Sequence, residues 1–290
     1  MKVVIAGGSG FLGSALASSL RVDHHDITIV TRHAKVHGEV PWTDLPMVVE
    51  GADVVVNLAG EPLDAGQWTA ARKASILDSR VRATEAVVKA MSMATQRPKV
   101  FLNASAIGVY GAQGDGAVAE DSPLGSDFLA TVCVQWETAA MAAAWVTRTV
   151  LLRTGLVLDR NGGALPKLAL PFRLFAGGRV GSGNQYWSWI HREDWVRMVR
   201  WAIDTEMVKG PLNLTAPGPV TNREFTQALA RALHRPAIAP APAFALRFLL
   251  GEMADAMILN GRRVLPAKAE MKGFEFRYPD LDSALRQIYQ

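Results

Sequence analysis

A β-branched run, Val3-Val4-Ile5-Ala6, passes directly into Gly7-Gly8-Ser9-Gly10-Phe11-Leu12-Gly13 and then into helically spaced apolar residues as far as Leu20. No other feature constrains the chain as much. A glycine at 7 permits a tight turn, one at 10 lets backbone N–H groups approach a pyrophosphate, and one at 13 lets the following helix pack against the strand. The helix N-terminus adds partial positive charge at the same point. Glycines alone occur in many plain loops; with a strand before them and a helix after them they point to dinucleotide binding. Gly7, Gly10, Phe11, Leu12 and Gly13 are the first candidate cofactor residues.

The second apolar run, Ile27 to Val30, ends in Thr31-Arg32. A site for NAD usually carries an acidic residue there, about 20 residues past the turn, to accept hydrogen bonds from the ribose hydroxyls. Arg32 cannot accept them, but its guanidinium can pair with a 2′-phosphate and stack on adenine, which favours NADP, and Lys35 adds charge. The plainer alternative is that Arg32 is a solvated strand-end charge and that Asp26 or a distant acid serves NAD. Asn57-Leu58-Ala59-Gly60 closes the Val54 strand with small residues that let a ribose lie close to backbone, so Leu58, Ala59 and Gly60 join Thr31 and Arg32 as cofactor candidates.

Further short apolar bursts at Val54 to Leu58, Val100 to Leu102 and Val150 to Leu152 read as parallel strands buried on both faces. Helical spacing fills the intervals, notably Trp68 to Ala94 and Phe128 to Trp145, so the expected fold class is α/β, a doubly wound parallel sheet (Rossmann) with a smaller C-terminal substrate lobe. The division expected is a cofactor domain over 1–160, with returning segments from 185–220, and a substrate lobe over 161–290 that includes a small C-terminal domain at about 240–290. Prolines and glycines between 166 and 183 break the chain into loops before a helix over Glu193 to Thr205. An amphipathic segment covers Ala243 to Leu259.

Composition excludes several classes. Basic residues number 31 and acidic 27, scattered without a basic stripe, which argues against nucleic acid. The single cysteine, Cys133, permits no internal disulfide and suits a reducing, cytoplasmic setting. Lys2 and the apolar residues up to Leu20 resemble a signal peptide superficially, but the glycines suit strand, turn and helix better. No run approaches the roughly 18 to 20 apolar residues of a membrane span. Among the six histidines the only close pairs are the adjacent His24-His25 and the neighbouring His33 and His37, without a His-Glu-x-x-His zinc motif, so no metal is expected.

Gly7 to Gly13, Asn57 to Gly60, Ser105 with Tyr110-Gly111, and Arg153-Thr154-Gly155 together resemble the extended short-chain dehydrogenase and nucleotide-sugar epimerase superfamily. Ser79-Arg80, Gly162 to Lys167, Ser188 to His191 and Asn213 to Pro217 are similar to a narrower epimerase-like branch once described as cell-division inhibitors. Gly251-Glu252, Pro266 and Gly273-Phe274 resemble its small C-terminal domain. The resemblance implies an NADP-dependent oxidoreductase or epimerase acting on a small polar or nucleotide-linked substrate. It also leaves room for a homodimer, which is common on this scaffold.

In that superfamily a serine or threonine polarises the substrate while a tyrosine, assisted by a lysine four residues on, moves the proton. Ser105 matches the serine. Counting back from Glu137, the tyrosine and lysine positions fall on Leu129 and Cys133, neither of which can do this work. Tyr110 is the alternative proton donor, with loop packing as its plain role. Arg80, where relatives carry a helix asparagine, is a candidate for a substrate carboxylate or phosphate, or else a surface helix charge. Lys167, Gln185, Trp187 and His191 lie in the glycine-broken region expected to cover the substrate; a lone histidine is more often structural, and either Trp187 or Trp189 fills core. The missing relay motivates a second reading, a non-catalytic cofactor-binding sensor or partner protein.

Overall fold

The computed structural model describes residues 1–290. Seven strands, β1 (Lys2–Ala6), β2 (Asp26–Thr31), β3 (Glu39–Pro41), β4 (Val54–Asn57), β5 (Val100–Ala106), β6 (Arg148–Thr154) and β7 (Gly210–Leu214), form one parallel sheet in the order β7-β6-β5-β4-β1-β2-β3. The order reverses between β1 and β4, where the two strands run side by side with Val3 opposite Val54 and Ala6 opposite Asn57. Chain connections leaving on opposite sides of such a point open a crevice beyond the strand ends.

The β-branched strand residues are buried because both faces are covered. Val3, Ile5, Val54, Val56 and Leu102 pack with α1 (Phe11–Val22) and α5 (Arg192–Asp204). Val4, Val55, Phe101 and Leu151 pack with α2 (Ala70–Met93), α3 (Phe128–Met141) and a helical turn at Leu45–Val49. Thr69 caps α2 by accepting from Arg72 N, and Asp127 caps α3 by accepting from Ala130 N. These caps set the helix starts that the periodicity blurs, two residues after Trp68 and at Phe128.

Beyond β6 the chain leaves the sheet, forms α4 (Leu165–Arg173) and returns as α5 and β7, which pairs in parallel with β6. Two-residue and three-residue ribbons extend the structure past the strand ends: Leu156–Leu158 with Trp189–His191, Tyr186–Trp187 with Val220–Thr221, and Ala117–Val118 with Arg263–Val264. The last ribbon ties the C-terminal region to the segment following β5. The expected amphipathic helix over Ala243 to Leu259 is interrupted. It runs as α7 (Ala243–Leu250), breaks at Gly251, whose φ of +58° takes it out of helical backbone, and resumes as a short helix and a π turn over Asp255–Leu259.

A second core joins α6 (Asn222–Leu233) to α8 (Leu281–Tyr289) through Phe225, Leu229, Leu281, Leu285 and the fully buried Trp189. α6 starts with a capping box between Thr221 and Glu224, which fixes its first turn by satisfying two backbone donors at once. No helix is long and apolar enough to cross a membrane.

The C-terminal tail is tied to α5 by one buried carboxylate. Asp194, with no exposed surface, accepts from Arg277 N at 2.9 Å and Tyr278 N at 2.8 Å and pairs with Arg197 at 3.0 Å. Asp194→Ala removes the acceptor and strands amides that water reaches poorly, so chemical denaturation is expected to show a loss of about 2–4 kcal/mol. A loss below roughly 1 kcal/mol, the net worth of one ordinary hydrogen bond, would show that the tail is held by its other contacts, packing and the Glu193 bonds to Arg277 and Tyr278 among them.

Candidate functional site

The glycine turn and the turn after β4 meet at the crevice. Gly7 has φ +75°, and a Cβ on it would stand 2.9 Å from Ala59 N and from the Leu58 carbonyl carbon. A Cβ on Gly13 would stand 2.6 Å from Gly8 Cα and 2.7 Å from Gly7 O, so α1 sits directly on the turn. Gly10 is the N-cap of α1 and no side chain caps the helix, which leaves the first-turn amides at Phe11, Leu12 and Gly13 for an anion. The Phe11 ring lies against Gly162 and Gly163, anchoring the helix start.

The second turn is fixed from beneath by buried amides. Asn57 Nδ2 donates to Thr84 Oγ1 at 2.9 Å and to Asn103 Oδ1 at 2.7 Å, its Oδ1 accepts from Ala59 N at 3.2 Å, and Trp136 Nε1 donates to Thr84 at 2.9 Å. Leu58, Ala59 and Gly60 are therefore held with their backbone facing the cleft. The sequence presents Asn57 only as part of the turn, because the partners of its amide N–H groups lie on α2 and β5, far away in the chain.

A cleft of ≈ 880 Å³ runs from the two turns to the end of β2 and contains Thr31, Arg32, Lys35, Glu39 and Arg82 in its walls. Arg32 and Lys35 are exposed and Arg32 has no carboxylate partner, while Glu39 is occupied by Lys35 N at 2.9 Å. Asp26, the alternative acceptor for NAD, opens β2 at the opposite end of the strand and cannot reach this cleft. Arg82 carries no local signal for this place. It enters because α2 crosses above β4, which adjacency in sequence does not reveal.

The reaction end differs from expectation. Leu129 is 9% exposed and Cys133 4%; both face Gly108, where an added Cβ would meet Leu129 Cβ at 3.4 Å and Cys133 Sγ at 3.8 Å. Burial, seconded by the nearby Glu137 carboxylate, pushes the thiol up to about 11, so it stays protonated near neutrality. Ser105 donates to Glu137 Oε1 at 2.6 Å, and Glu137 holds Arg153 in a two-pronged pair at 2.9 and 2.8 Å. Tyr110 has no exposed surface; its hydroxyl donates to Asn213 Oδ1 at 2.7 Å and accepts from Arg153 Nη1 at 3.0 Å. Burial raises its pKa. Ser105, the expected polarising serine, points into the α3 side of the sheet, and Tyr110, the expected proton donor, is a buried strut whose hydroxyl is engaged in this structure. The motif residues of the sequence form a closed network filling the space behind the site.

The substrate candidates scatter. Arg80 lies under Gly60 and over Trp136, ring centroid to guanidinium carbon 5.2 Å, with Nη1 on Ile76 O and Nη2 on Glu61 O, both at 3.0 Å. It shapes the turn and borders the site. Lys167 pairs with Asp64 and bridges α4 to the segment before α2. Gln185 donates to Val180 O at 3.0 Å and Ile258 O at 3.3 Å, and Trp187 Nε1 donates to Ile258 O at 3.3 Å, so both hold the C-terminal segment; Trp189 is the core tryptophan. His191 is elsewhere, lining a separate polar hollow of ≈ 610 Å³ beside α1. It caps α5, accepting from Glu193 N at Nδ1 (3.1 Å) with Nε2 on Gln287 at 2.9 Å, and burial lowers its pKa. The structure places this substrate candidate apart from the crevice, with both ring nitrogens engaged in capping and packing.

Comparison with known proteins agrees with this geometry. Residues 3–214 match the model of the NAD dependent epimerase/dehydratase family, and 241–288 match a domain of unknown function, DUF1731. The chain is 41% identical to the Arabidopsis thaliana chloroplastic homolog of epimerase family protein SDR39U1, over all of this chain and 87% of that protein. It is 39% identical to the Bacillus subtilis epimerase family protein YfhF, over 99% of this chain and 98% of the other. The crystal structure of the human epimerase family protein SDR39U1 with NADPH superposes with a TM-score of 0.94 at 34% identity, over 100% of this chain and 99% of that one. The chain belongs to the NAD dependent epimerase/dehydratase family, and the Rossmann-type α/β fold with a small C-terminal region is shared with these relatives.

Two measurements test the closed network. Native Cys133 is expected to alkylate at pH 8 about two orders of magnitude more slowly than in the denatured chain, since thiolate is the nucleophile. Its raised pKa favours the folded state below the ordinary value of 9.0 and loses that effect as pH climbs toward 11, the rate rising in step. Equal rates in both states at pH 8 would contradict the buried placement. Glu137→Ala leaves the Arg153 guanidinium buried without its carboxylate, and urea denaturation should register a loss of about 3–5 kcal/mol.

Proposed function

We propose that this member of the epimerase/dehydratase family binds NADP(H) across the β1–β4 crevice and acts as an oxidoreductase or epimerase on a small polar or nucleotide-linked substrate. The observation that carries the cofactor reading is the conjunction of an uncapped α1 start at Gly10 with Arg32, and no acid, at the end of β2. Amides of Phe11, Leu12 and Gly13 suit the pyrophosphate, Arg32 with Lys35 suits the 2′-phosphate, and the Leu58 to Gly60 backbone suits the nicotinamide ribose. NADPH in the human relative supports the phosphate-bearing cofactor. When bound, the cofactor supplies or accepts hydride.

The chain's own residues do the rest by position and exclusion. We place the substrate in a chamber beyond the turns, with the buried Leu129 and Cys133 as its apolar floor, and the Asn57 lattice holds the turn above it. Arg80 bounds that chamber with positive charge. Residues 161–290 serve as the substrate lobe while lending β7 to the sheet, and the lone thiol suits a reducing cytoplasmic compartment. A second reading, a cofactor-occupied sensor without turnover, is favoured specifically by the absence of a tyrosine and lysine at 129 and 133.

Arg32→Ala is expected to weaken NADPH binding by about 1.5–3 kcal/mol, the worth of charge-assisted bonds to the phosphate, while NADH affinity stays unchanged by calorimetry. Equal weakening of both would sink the phosphate assignment. Hydride transfer from NADPH to any member of a broad carbonyl panel would decide for the enzyme over the sensor.

A further inference from the structure

Positive charge gathers along α3 from elements distant in sequence. Arg262, from the C-terminal region, is 8% exposed; its Nε donates to Gly111 O at 2.6 Å. Its Nη2 is buried and makes no hydrogen bond. The nearest carboxylate is Asp127 Oδ2 at 3.7 Å, an ion pair too long to be a hydrogen bond, and Asp127 spends its other oxygen capping Ala130 N at 2.9 Å. Lys73 lies over the Phe128 ring at 5.0 Å and pairs with the half-exposed Glu252. Arg80 lies over Trp136, with carbonyl oxygens as its only hydrogen-bond partners.

Two cations, Arg262 and Lys73, thus meet the N-terminal end of α3 while Arg80 lies further along it, and the carboxylates answering the first two, Asp127 and Glu252, sit at the solvent-side rim. A buried guanidinium with an unspent N–H group carries an uncompensated desolvation cost. The apolar floor beside it, Leu129 and Cys133, offers no acceptor. An anion arriving from the Asp127 side would satisfy Nη2 and meet the positive end of α3 together.

We infer that Arg262 and Lys73 hold an anionic oxygen group of the substrate, a carboxylate or phosphate, at the N-terminus of α3, where Asp127 takes its place in the free protein. The inference rests on reading the chamber beyond the turns as the substrate site and narrows the substrate class to anions. It makes the C-terminal region, through Arg262, part of the binding site.

The test uses full-length protein saturated with NADPH, titrated calorimetrically with inorganic phosphate and, separately, with acetate, against chloride at matched ionic strength. Arg262→Gln should weaken probe binding by about tenfold or more, as expected for a lost charge-assisted hydrogen bond. Asp127→Asn keeps an oxygen for the cap but removes the competing charge, and should tighten probe binding about fivefold. That gain is one a merely structural role for Arg262 would not produce, and it stands even if Arg262→Gln fails to fold. Preference for phosphate over acetate, or the reverse, separates the two sources. Binding no tighter than chloride, or an Asp127→Asn protein indistinguishable from wild type, overturns the inference. NADPH affinity measured on each variant keeps this outcome separate from failure of the cofactor reading.

Discussion

The close approach of two backbone turns governs the whole site. Gly7 and the Leu58–Ala59 peptide come within a distance that leaves no room for a Cβ, and this is possible only because β1 and β4 lie side by side where the sheet order reverses. Bringing the turns together opens the α1 amides toward the crevice and turns the Leu58 to Gly60 backbone to its rim. Any side chain at Gly7 or Gly13 would push α1 away from the sheet and move those amides with it. The remainder of the molecule supports that geometry, from the Asn57 lattice below one turn to the Phe11 contact with Gly162 and Gly163 above the other.

Behind the crevice, polarity and hydrophobicity are arranged in an order that differs from the superfamily pattern. Ser105, Glu137, Arg153, Tyr110 and Asn213 form a continuous buried chain of hydrogen bonds, with every hydroxyl engaged. Such a network is costly to break at any member, because each deletion strands a partner out of reach of water. Leu129 and a protonated thiol stand nearby on α3, buried against Gly108.

The sheet is largely legible in the sequence. β-branched runs with glycine punctuation mark five of the seven strands at their observed positions, since strands buried on both faces must be continuously apolar. β3, with Glu39 and Pro41, and β7, with Gly210, Pro211 and Asn213, lack that composition and carry no such mark; neighbours impose the extended form. The glycine turn, Arg32 and the Leu58 to Gly60 turn are readable since each depends on residues adjacent in the chain. The surroundings of Ser105, Tyr110 and His191 are illegible in the sequence for one shared reason. Each has the right chemistry and a plausible position, but the partner that consumes its hydrogen bonds, Glu137, Asn213 or Glu193 and Gln287, is chosen by packing.

By itself the sequence determined the fold class, the place of the phosphate turn, the absence of an acid at the end of β2 and the loss of the tyrosine and lysine from α3. Those properties follow from local backbone freedom and from residue chemistry at fixed spacing, which no distant contact can alter. Tertiary structure alone decided which polar groups remain free. It buried Tyr110, turned Ser105 to Glu137, set His191 as a cap and delivered Arg262 to the start of α3. The reason is that a hydrogen bond is spent or available according to what stands within about 3 Å of it, and that distance is set by how elements far apart in the chain come to pack.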